Sequence, residues 1–184
     1  MGSITFVDEL RKESKNTIVE LKRLGISHLL MVSGDNQKTA KKIAREVNIQ
    51  EVFADQLPVD KLKTIKNLDK KHRPVAFVGD GVNDAPVLAA SDVGIAIGAR
   101  GNTAASESAD VVIMLDDLFK VATGVGIARR ALHIGKQSIW IGIVISIGLM
   151  AVFSTGKFSP VLGAGLQEIV DVVVIINALR AHRG

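Results

Sequence analysis

The stretch VAFVGDGVNDAP, residues 75–86, decides how this sequence can fold. Its first four residues are apolar and predict a short buried strand. Asp80 follows between two glycines, so the backbone can turn tightly and no bulky neighbour shields the carboxylate. Asn83 and Asp84, with a proline just after them, are typical of a helix start with a side-chain cap. Two carboxylates therefore follow a strand directly, where α/β sheets bind ligands, and their oxygens suit a hard cation such as Mg²⁺. The alternative is a polar turn without chemistry.

Strand and helix patterns alternate on both sides of this stretch. Strands are predicted at residues 3–7, 26–32, 51–54, 93–97 and 111–115. Helices are predicted up to about residue 24, where Gly25 ends the first, then up to about residue 47, and over 58–69 and 83–90. This alternation predicts an α/β fold, a Rossmann-like parallel sheet with helices on both faces.

The last third of the chain is far more apolar than the rest. A helix is predicted from Asp116 to about Lys136, and residues 138–155, which carry no charge, are about long enough to span a bilayer. A second apolar segment covers residues 161–179, and Lys157 is the one charged residue between the two. Because lysines and arginines cluster outside the pair, the positive-inside rule predicts a transmembrane hairpin with both outer ends cytoplasmic. A buried helical pair in a soluble protein is the alternative. The predicted organisation is a soluble domain at 1–115, a connecting helix at 116–137 and two membrane helices at 138–184.

Bulk composition agrees with a soluble part joined to a membrane part. Hydrophobic residues make up 47%, charged residues 23%, and the mean hydropathy is +0.29. The net charge of +4 comes from scattered cations, several of which flank the apolar segments, so we expect membrane anchoring and no nucleic-acid partner. The absence of cysteine excludes disulfides and cysteine metal ligands within these 184 residues.

Two further motifs can join the carboxylates of the opening stretch. Ser33, Gly34 and Asp35 close the predicted strand at 26–32, and a hydroxyl with free backbone N–H groups there could hold phosphate oxygens. Lys61 begins another predicted helix and could neutralise phosphate charge. Taken alone, the first motif is an ordinary helix cap and the second a solvated lysine.

The run GDGVNDAPVL, residues 79–88, with its continuation to Gly98, closely resembles the hinge segment of P-type cation ATPases. The phosphorylation domain of that family has the haloacid-dehalogenase-like fold, and the three motifs follow the order of its phosphoryl-transfer set. The resemblance implies that Ser33, in place of the usual threonine, and Gly34 contact the phosphoryl group, and that Asp35 keeps the motif's acid. It also implies that Lys61 holds the acyl-phosphate.

The same resemblance implies which residues bind the metal ion. Asp80 would be the main Mg²⁺ ligand, with Asn83 and Asp84 supporting metal and phosphate. Asp8 and Arg11 resemble the segment by which the chain re-enters the phosphorylation domain.

One part of the family pattern has no counterpart in these residues. The nucleophile of the family is the aspartate of Asp-Lys-Thr-Gly-Thr, and no such run occurs here, nor does a Thr-Gly-Glu or Cys-Pro-Cys motif. The chain thus resembles the C-terminal part of a pump whose complete form uses ATP and Mg²⁺. We expect it to need the missing N-terminal part as a partner and, by itself, neither to hydrolyse ATP nor to transport ions. Two spans after the soluble domain resemble the heavy-metal class.

Three polar residues interrupt the second apolar segment. Gln167, Glu168 and Asp171 lie near one helix face, and ionisable groups at membrane depth are usually functional. Glu168 and Asp171 are therefore possible ligands of a transported divalent heavy-metal cation; the alternative is that they are solvated or pack helices.

Other functions stay open. One is a non-catalytic, membrane-anchored module that binds Mg²⁺ or phosphate and assembles with or regulates a pump. Another is a soluble phosphatase of the same fold, which the missing nucleophile and the apolar hairpin disfavour. The expected location is the cell membrane, with the soluble domain and both chain ends cytoplasmic.

Overall fold

The computed structural model describes residues 10–68, 70–80, 82–98 and 104–182. The predicted strand at 3–7 and Asp8 lie outside this part. The chain forms two compact units, residues 1–123 and 124–184. The first unit contains α1 (Ser14–Arg23), β1 (Leu30–Val32), α2 (Gln37–Glu46), β2 (Glu51–Phe53), α3 (Pro58–Lys66), β3 (Ala76–Gly79), α4 (Ala85–Ala90), β4 (Val93–Ile97), α5 (Ala104–Ser108) and β5 (Val111–Ile113). Two long helices follow, α6 (Phe119–Phe153) and α7 (Pro160–Ala178).

All described strand pairs are parallel, as predicted. They form two ladders: β1 pairs with β2, and β3, β4 and β5 pair in that order. The sequence predicts one sheet, whereas within the described residues no ladder joins β1 to β3. The strand predicted at 26–32 begins only at Leu30, because the Ile26 N–H still donates to the Leu21 carbonyl and closes the end of α1. Gly25 ends that helix as predicted, with φ of 83°.

The main core lies between α3, α4 and one face of β4. Ile65, Val87, Leu88 and Ala96 are almost completely buried there. On the other face of β4, a second apolar cluster contains Ile95, Ile97 and Val121. Both faces of β4 are therefore covered, which explains why its sequence is continuously apolar rather than alternating.

The helix α6 combines the predicted connector and the first apolar segment in one element. It begins at Phe119 rather than at Asp116, because the carboxylate of Asp117 accepts the Phe119 N–H at 2.9 Å and caps the helix start. Its 35 residues correspond to about 52 Å, more than a bilayer core requires. By length and composition, α6 and α7 are both apolar enough to cross a membrane.

Within residues 124–184, α6 and α7 pack through small and polar residues. A Cβ added at Gly163 would lie 3.1 Å from the Phe153 ring, so the two helices approach closely there. The Asn177 side-chain amide donates to the hydroxyl of Ser138 at 2.7 Å. Small residues and interhelical hydrogen bonds are what hold helices together where water is absent.

Candidate active site

A cavity of about 240 Å³ lies at the carboxyl ends of β1 and β3. It is lined by Arg11, Val32, Ser33, Gly34, Lys61, Phe77, Val78, Gly79, Asp80, Asp84, Ile97 and Leu118. Five residues predicted as site residues, from three separate motifs, thus share one cavity: Ser33, Gly34, Lys61, Asp80 and Asp84. Two others, Asp35 and Asn83, are not among the lining residues.

The loop after β1 is held by its own side chains and by the loop after β2. The Ser33 hydroxyl donates to Asp35 Oδ2 at 2.7 Å, and the Asp35 N–H donates back to the same hydroxyl oxygen at 3.1 Å. The N–H groups of Asp55 and Gln56 donate to the carbonyls of Asp35 and Ser33 at 2.8 and 3.0 Å. Asp35 therefore fixes the side chain of Ser33, a residue that lines the cavity.

Asp84 and Lys61 form a largely buried ion pair with a distance of 2.8 Å between Lys61 Nζ and Asp84 Oδ1. The sequence suggests a side-chain cap at this helix start, but Asp84, the residue before α4, makes no capping hydrogen bond, because its carboxylate faces Lys61 instead. Gly79 permits this arrangement. A Cβ at Gly79 would lie 2.9 Å from Asp84 Cβ, closer than real side chains come, so a larger residue would displace the carboxylate.

Asp80 faces the cavity from the end of β3, and its side chain is 69% exposed. Arg11 lies beside it, with 3.6 Å between the guanidinium and Asp80 Oδ2. The same guanidinium also forms a hydrogen-bonded ion pair with Asp116. The hydrogen bond to Asp116 raises the pKa of Arg11 more than burial lowers it, and the charges of Asp116, Asp80 and Glu13 raise it further.

Sequence reasoning missed Asp116 as a neighbour of this site. The signal was present: Asp116 follows the strand predicted at 111–115, and the carboxyl ends of parallel strands lie at one edge of a sheet. The same rule that selected Asp80 would have selected it.

The donor set fits Mg²⁺. Among the residues that the structure describes, no group of three or more His, Cys, Asp or Glu side chains could hold a metal. Mg²⁺ does not need such a group, since it is usually bound by one or two carboxylates together with waters and phosphate oxygens. Asp80 offers an accessible carboxylate of this kind. Asp84 pairs with Lys61 through Oδ1, and its role as a second Mg²⁺ ligand stays a prediction.

A second polar cluster lies within residues 124–184, between α6 and α7. The Gln167 side-chain amide donates to the Ser146 hydroxyl at 3.1 Å and to Asp171 Oδ1 at 3.2 Å. The predicted proximity of Gln167 and Asp171 is therefore observed. Glu168 and Asp171 are both exposed on α7, and of the two only Asp171 is hydrogen-bonded to Gln167 within the described part of the chain. Ser146 was missed, because a serine in an apolar helix gives no signal until its partner helix is placed beside it.

Comparison with known proteins identifies the family. A model of haloacid dehalogenase-like hydrolases matches residues 1–92, half of the chain. A probable cadmium-transporting ATPase of Staphylococcus aureus is 40% identical over 183 residues, covering 100% of this chain and 23% of that protein. A manganese-exporting P-type ATPase of Mycobacterium leprae is 36% identical, covering 100% of this chain and 25% of that protein.

A solved structure gives the same result. The crystal structure of a zinc-transporting PIB-type ATPase in the E2.Pi state matches with a TM-score of 0.79 and 35% identity, covering 95% of this chain and 28% of that chain. The chain thus spans about a quarter of the length of the relatives it matches. The resemblance seen in the sequence and the predicted fold class are both confirmed. This chain belongs to the haloacid dehalogenase-like hydrolases, and within them it corresponds to the C-terminal region of heavy-metal P-type ATPases.

Proposed function

We propose that this chain supplies the Mg²⁺- and phosphate-binding half of the phosphorylation site, together with two membrane helices, of an ATP-driven heavy-metal pump. The observation that carries the proposal is the convergence of Ser33, Gly34, Lys61, Asp80 and Asp84 on one cavity at the carboxyl ends of two parallel strands. These residues come from three motifs spread over about fifty positions, and a chance arrangement would not bring them together.

The chemistry of phosphoryl transfer is mainly positioning and charge neutralisation. In the proposed site, Lys61 neutralises phosphoryl charge, and Asp84 fixes its ammonium group. Asp35 holds the Ser33 side chain, and the hydroxyl proton that it accepts in this structure would turn to a phosphoryl oxygen when phosphate binds. Asp80 holds Mg²⁺, which when bound neutralises phosphate charge and polarises the transferring group.

We propose that the phosphorylated aspartate reaches the cavity from a part of the pump outside these 184 residues. The hydrogen-bonding edges of β1 and β3 support this proposal. In the described part of the chain, β1 has a ladder only with β2, and β3 only with β4, yet residues at the ends of both strands line the same cavity. A parallel strand between β1 and β3 would join the two ladders and bring its own carboxyl end to Lys61 and Asp80.

Phosphorylation of a reconstituted pump tests the proposal. The chain is co-expressed with a pump fragment that contains Asp-Lys-Thr-Gly-Thr, and membranes are incubated with radiolabelled ATP, Mg²⁺ and either Cd²⁺, Zn²⁺ or Mn²⁺. We expect a hydroxylamine-sensitive phosphoenzyme only when both parts are present, and a loss of at least tenfold with Asp80→Asn or Lys61→Met. Lys63→Met is the matched control, because Lys63 lies on the exposed side of α3.

Two results would contradict the proposal. A phosphoenzyme formed by this chain alone would place the nucleophile within it. Normal assembly of the two parts without phosphorylation under any of the three metals would favour a non-catalytic module that binds Mg²⁺ or phosphate and regulates a pump.

The proposed location is the cell membrane, with the soluble unit and both chain ends in the cytoplasm. Cation distribution supports this, since basic residues flank the helix pair and Lys157 alone lies in the turn between the helices. Because the chain contains no cysteine, a cysteine introduced at Thr155 gives a clean label. We expect a membrane-impermeant maleimide to modify it from outside the cell, and labelling only after permeabilisation would reverse the orientation.

We propose further that Asp171 contributes to the site of the transported divalent cation. It shares a hydrogen-bonded cluster with Gln167 and Ser146, all of them oxygen donors, and oxygen donors favour Zn²⁺, Cd²⁺ or Mn²⁺ over Cu⁺. Glu168 is a second, weaker candidate on the same helix. The test is the metal dependence of ATPase activity in the complete pump. Asp171→Ala should raise the metal concentration for half-maximal activity at least tenfold. An unchanged value would show that Asp171 is not a ligand of the transported cation.

A further inference from the structure

Arg11 is placed between two carboxylates that have different roles. Its guanidinium lies 3.6 Å from Asp80 Oδ2 and is hydrogen-bonded to Asp116. Asp80 faces the cavity, whereas Asp116 follows β5 and is not among the lining residues. One fixed positive charge is thus shared between the proposed cation ligand and a neighbouring acid.

The sharing is unequal. The guanidinium donates a hydrogen bond to Asp116, the largest cause of the raised Arg11 pKa, whereas its 3.6 Å contact with Asp80 is longer than a hydrogen bond. A guanidinium is always charged and forms directed, forked hydrogen bonds, so its position follows its best acceptor. Without Asp116, Asp80 and Glu13 are the carboxylates that remain near the guanidinium, and Asp80 is the one in ion-pair contact with it.

We propose that Arg11 and Asp116 are positioning residues that set the cation affinity of Asp80: Asp116 draws the guanidinium away, which leaves the Asp80 carboxylate open to a divalent cation. This inference rests on the proposed Mg²⁺ site at Asp80. A divalent ion at Asp80 lies close to the Arg11 charge and is repelled by it, so both residues affect its affinity, in opposite directions.

The test is a binding titration that needs no catalysis. Mn²⁺ replaces Mg²⁺ as the probe, and its binding to the full 184-residue chain in detergent is followed by water-proton relaxation. We expect Arg11→Gln to tighten Mn²⁺ binding about three- to tenfold, because a nearby positive charge is removed. We expect Asp116→Asn to weaken it by about threefold, because the guanidinium then turns to Asp80. In the Arg11→Gln background, Asp116→Asn should have little effect.

Two matched controls distinguish these effects from those of a change in net charge alone. Lys12→Gln removes the neighbouring exposed cation, and Asp117→Asn removes the neighbouring acid while keeping a side-chain oxygen to cap α6. Each should change the Mn²⁺ affinity less than twofold. Misfolding cannot imitate the result, since a misfolded Arg11→Gln variant would lose binding rather than gain it.

The outcomes distinguish this inference from the proposed function. If Asp80→Asn leaves Mn²⁺ binding unchanged, the cation site itself is wrong, and the inference falls with it. If Asp80→Asn weakens binding but Arg11→Gln weakens it too or has no effect, the cation site stands and the positioning role is refuted. An effect of Asp116→Asn that persists undiminished without Arg11 would also refute it.

Discussion

The ion pair of Lys61 and Asp84 can be tested by replacing the lysine with methionine, which keeps its length and removes its charge. The Lys61 side chain is 18% exposed and that of Asp84 10%. Removing one partner of a buried pair costs about 3–5 kcal/mol, because the other charge stays buried without compensation. Since some water reaches this pair, we expect Lys61→Met to destabilise the region around α3 and α4 by about 3 kcal/mol.

Amide hydrogen exchange with mass spectrometry is the suitable assay. The single tryptophan, Trp140, lies in α6, so its fluorescence does not report on the first unit. Local exchange measures the free energy of opening for each segment. A loss of about 3 kcal/mol accelerates exchange in peptides from α3 and α4 about a hundredfold. Lys63→Met is the control, because Lys63 is 67% exposed and its pair with Asp60, at 3.5 Å, is a surface contact. Its effect should stay within about 0.5 kcal/mol, or roughly twofold in exchange rate.

The double variant Lys61→Met/Asp84→Asn decides whether the reasoning is right. Neutralising Asp84 removes the buried charge that Lys61→Met leaves behind, so the double variant should exchange more slowly than Lys61→Met alone. If Asp84→Asn instead adds to the destabilisation, the cost of Lys61→Met does not arise from an uncompensated carboxylate, and the account of this pair is refuted.

Two further predictions concern packing in each unit. A Cβ at Gly94 would lie 2.7 Å from the Leu88 carbonyl oxygen, so Gly94→Ala should destabilise α4 and β4 by about 1–3 kcal/mol in the same exchange assay. Gly124→Ala is the control, because the space around Gly124 is open and the substitution should cause no loss. Equal behaviour of the two variants would contradict the close approach of α4 to β4. In the cysteine-free background, Ser138→Cys/Asn177→Cys should form a disulfide within the chain after mild oxidation, detected by proteolysis of the turn at 154–159. The single variants are the controls, since one cysteine cannot form a disulfide within the chain, and a failure of the double variant to cross-link would contradict the observed register of α6 and α7.

Much of the local structure could be predicted because it depends on neighbours in the sequence. The apolar run before Asp80, the glycine after α1 and the uncharged segment at 138–155 each carry their signal within a few residues. Boundaries were predicted less well where a hydrogen bond from outside the pattern intervened. The Ile26 N–H closing α1 and the Asp117 carboxylate capping α6 are two such cases.

The sequence by itself determined the order of parallel strands and helices except for α5, the two membrane-length segments, and the residue types able to hold a phosphate and a hard cation. The tertiary structure decided which partner each of these side chains contacts. It directed the Asp84 carboxylate to Lys61 instead of a helix cap, left Asp80 accessible, and brought Arg11 and Asp116 together across 105 positions of sequence. The physical reason is that a side chain's partner is set by distance in space, and an ion pair between residues far apart in the chain leaves no periodicity that a sequence could reveal.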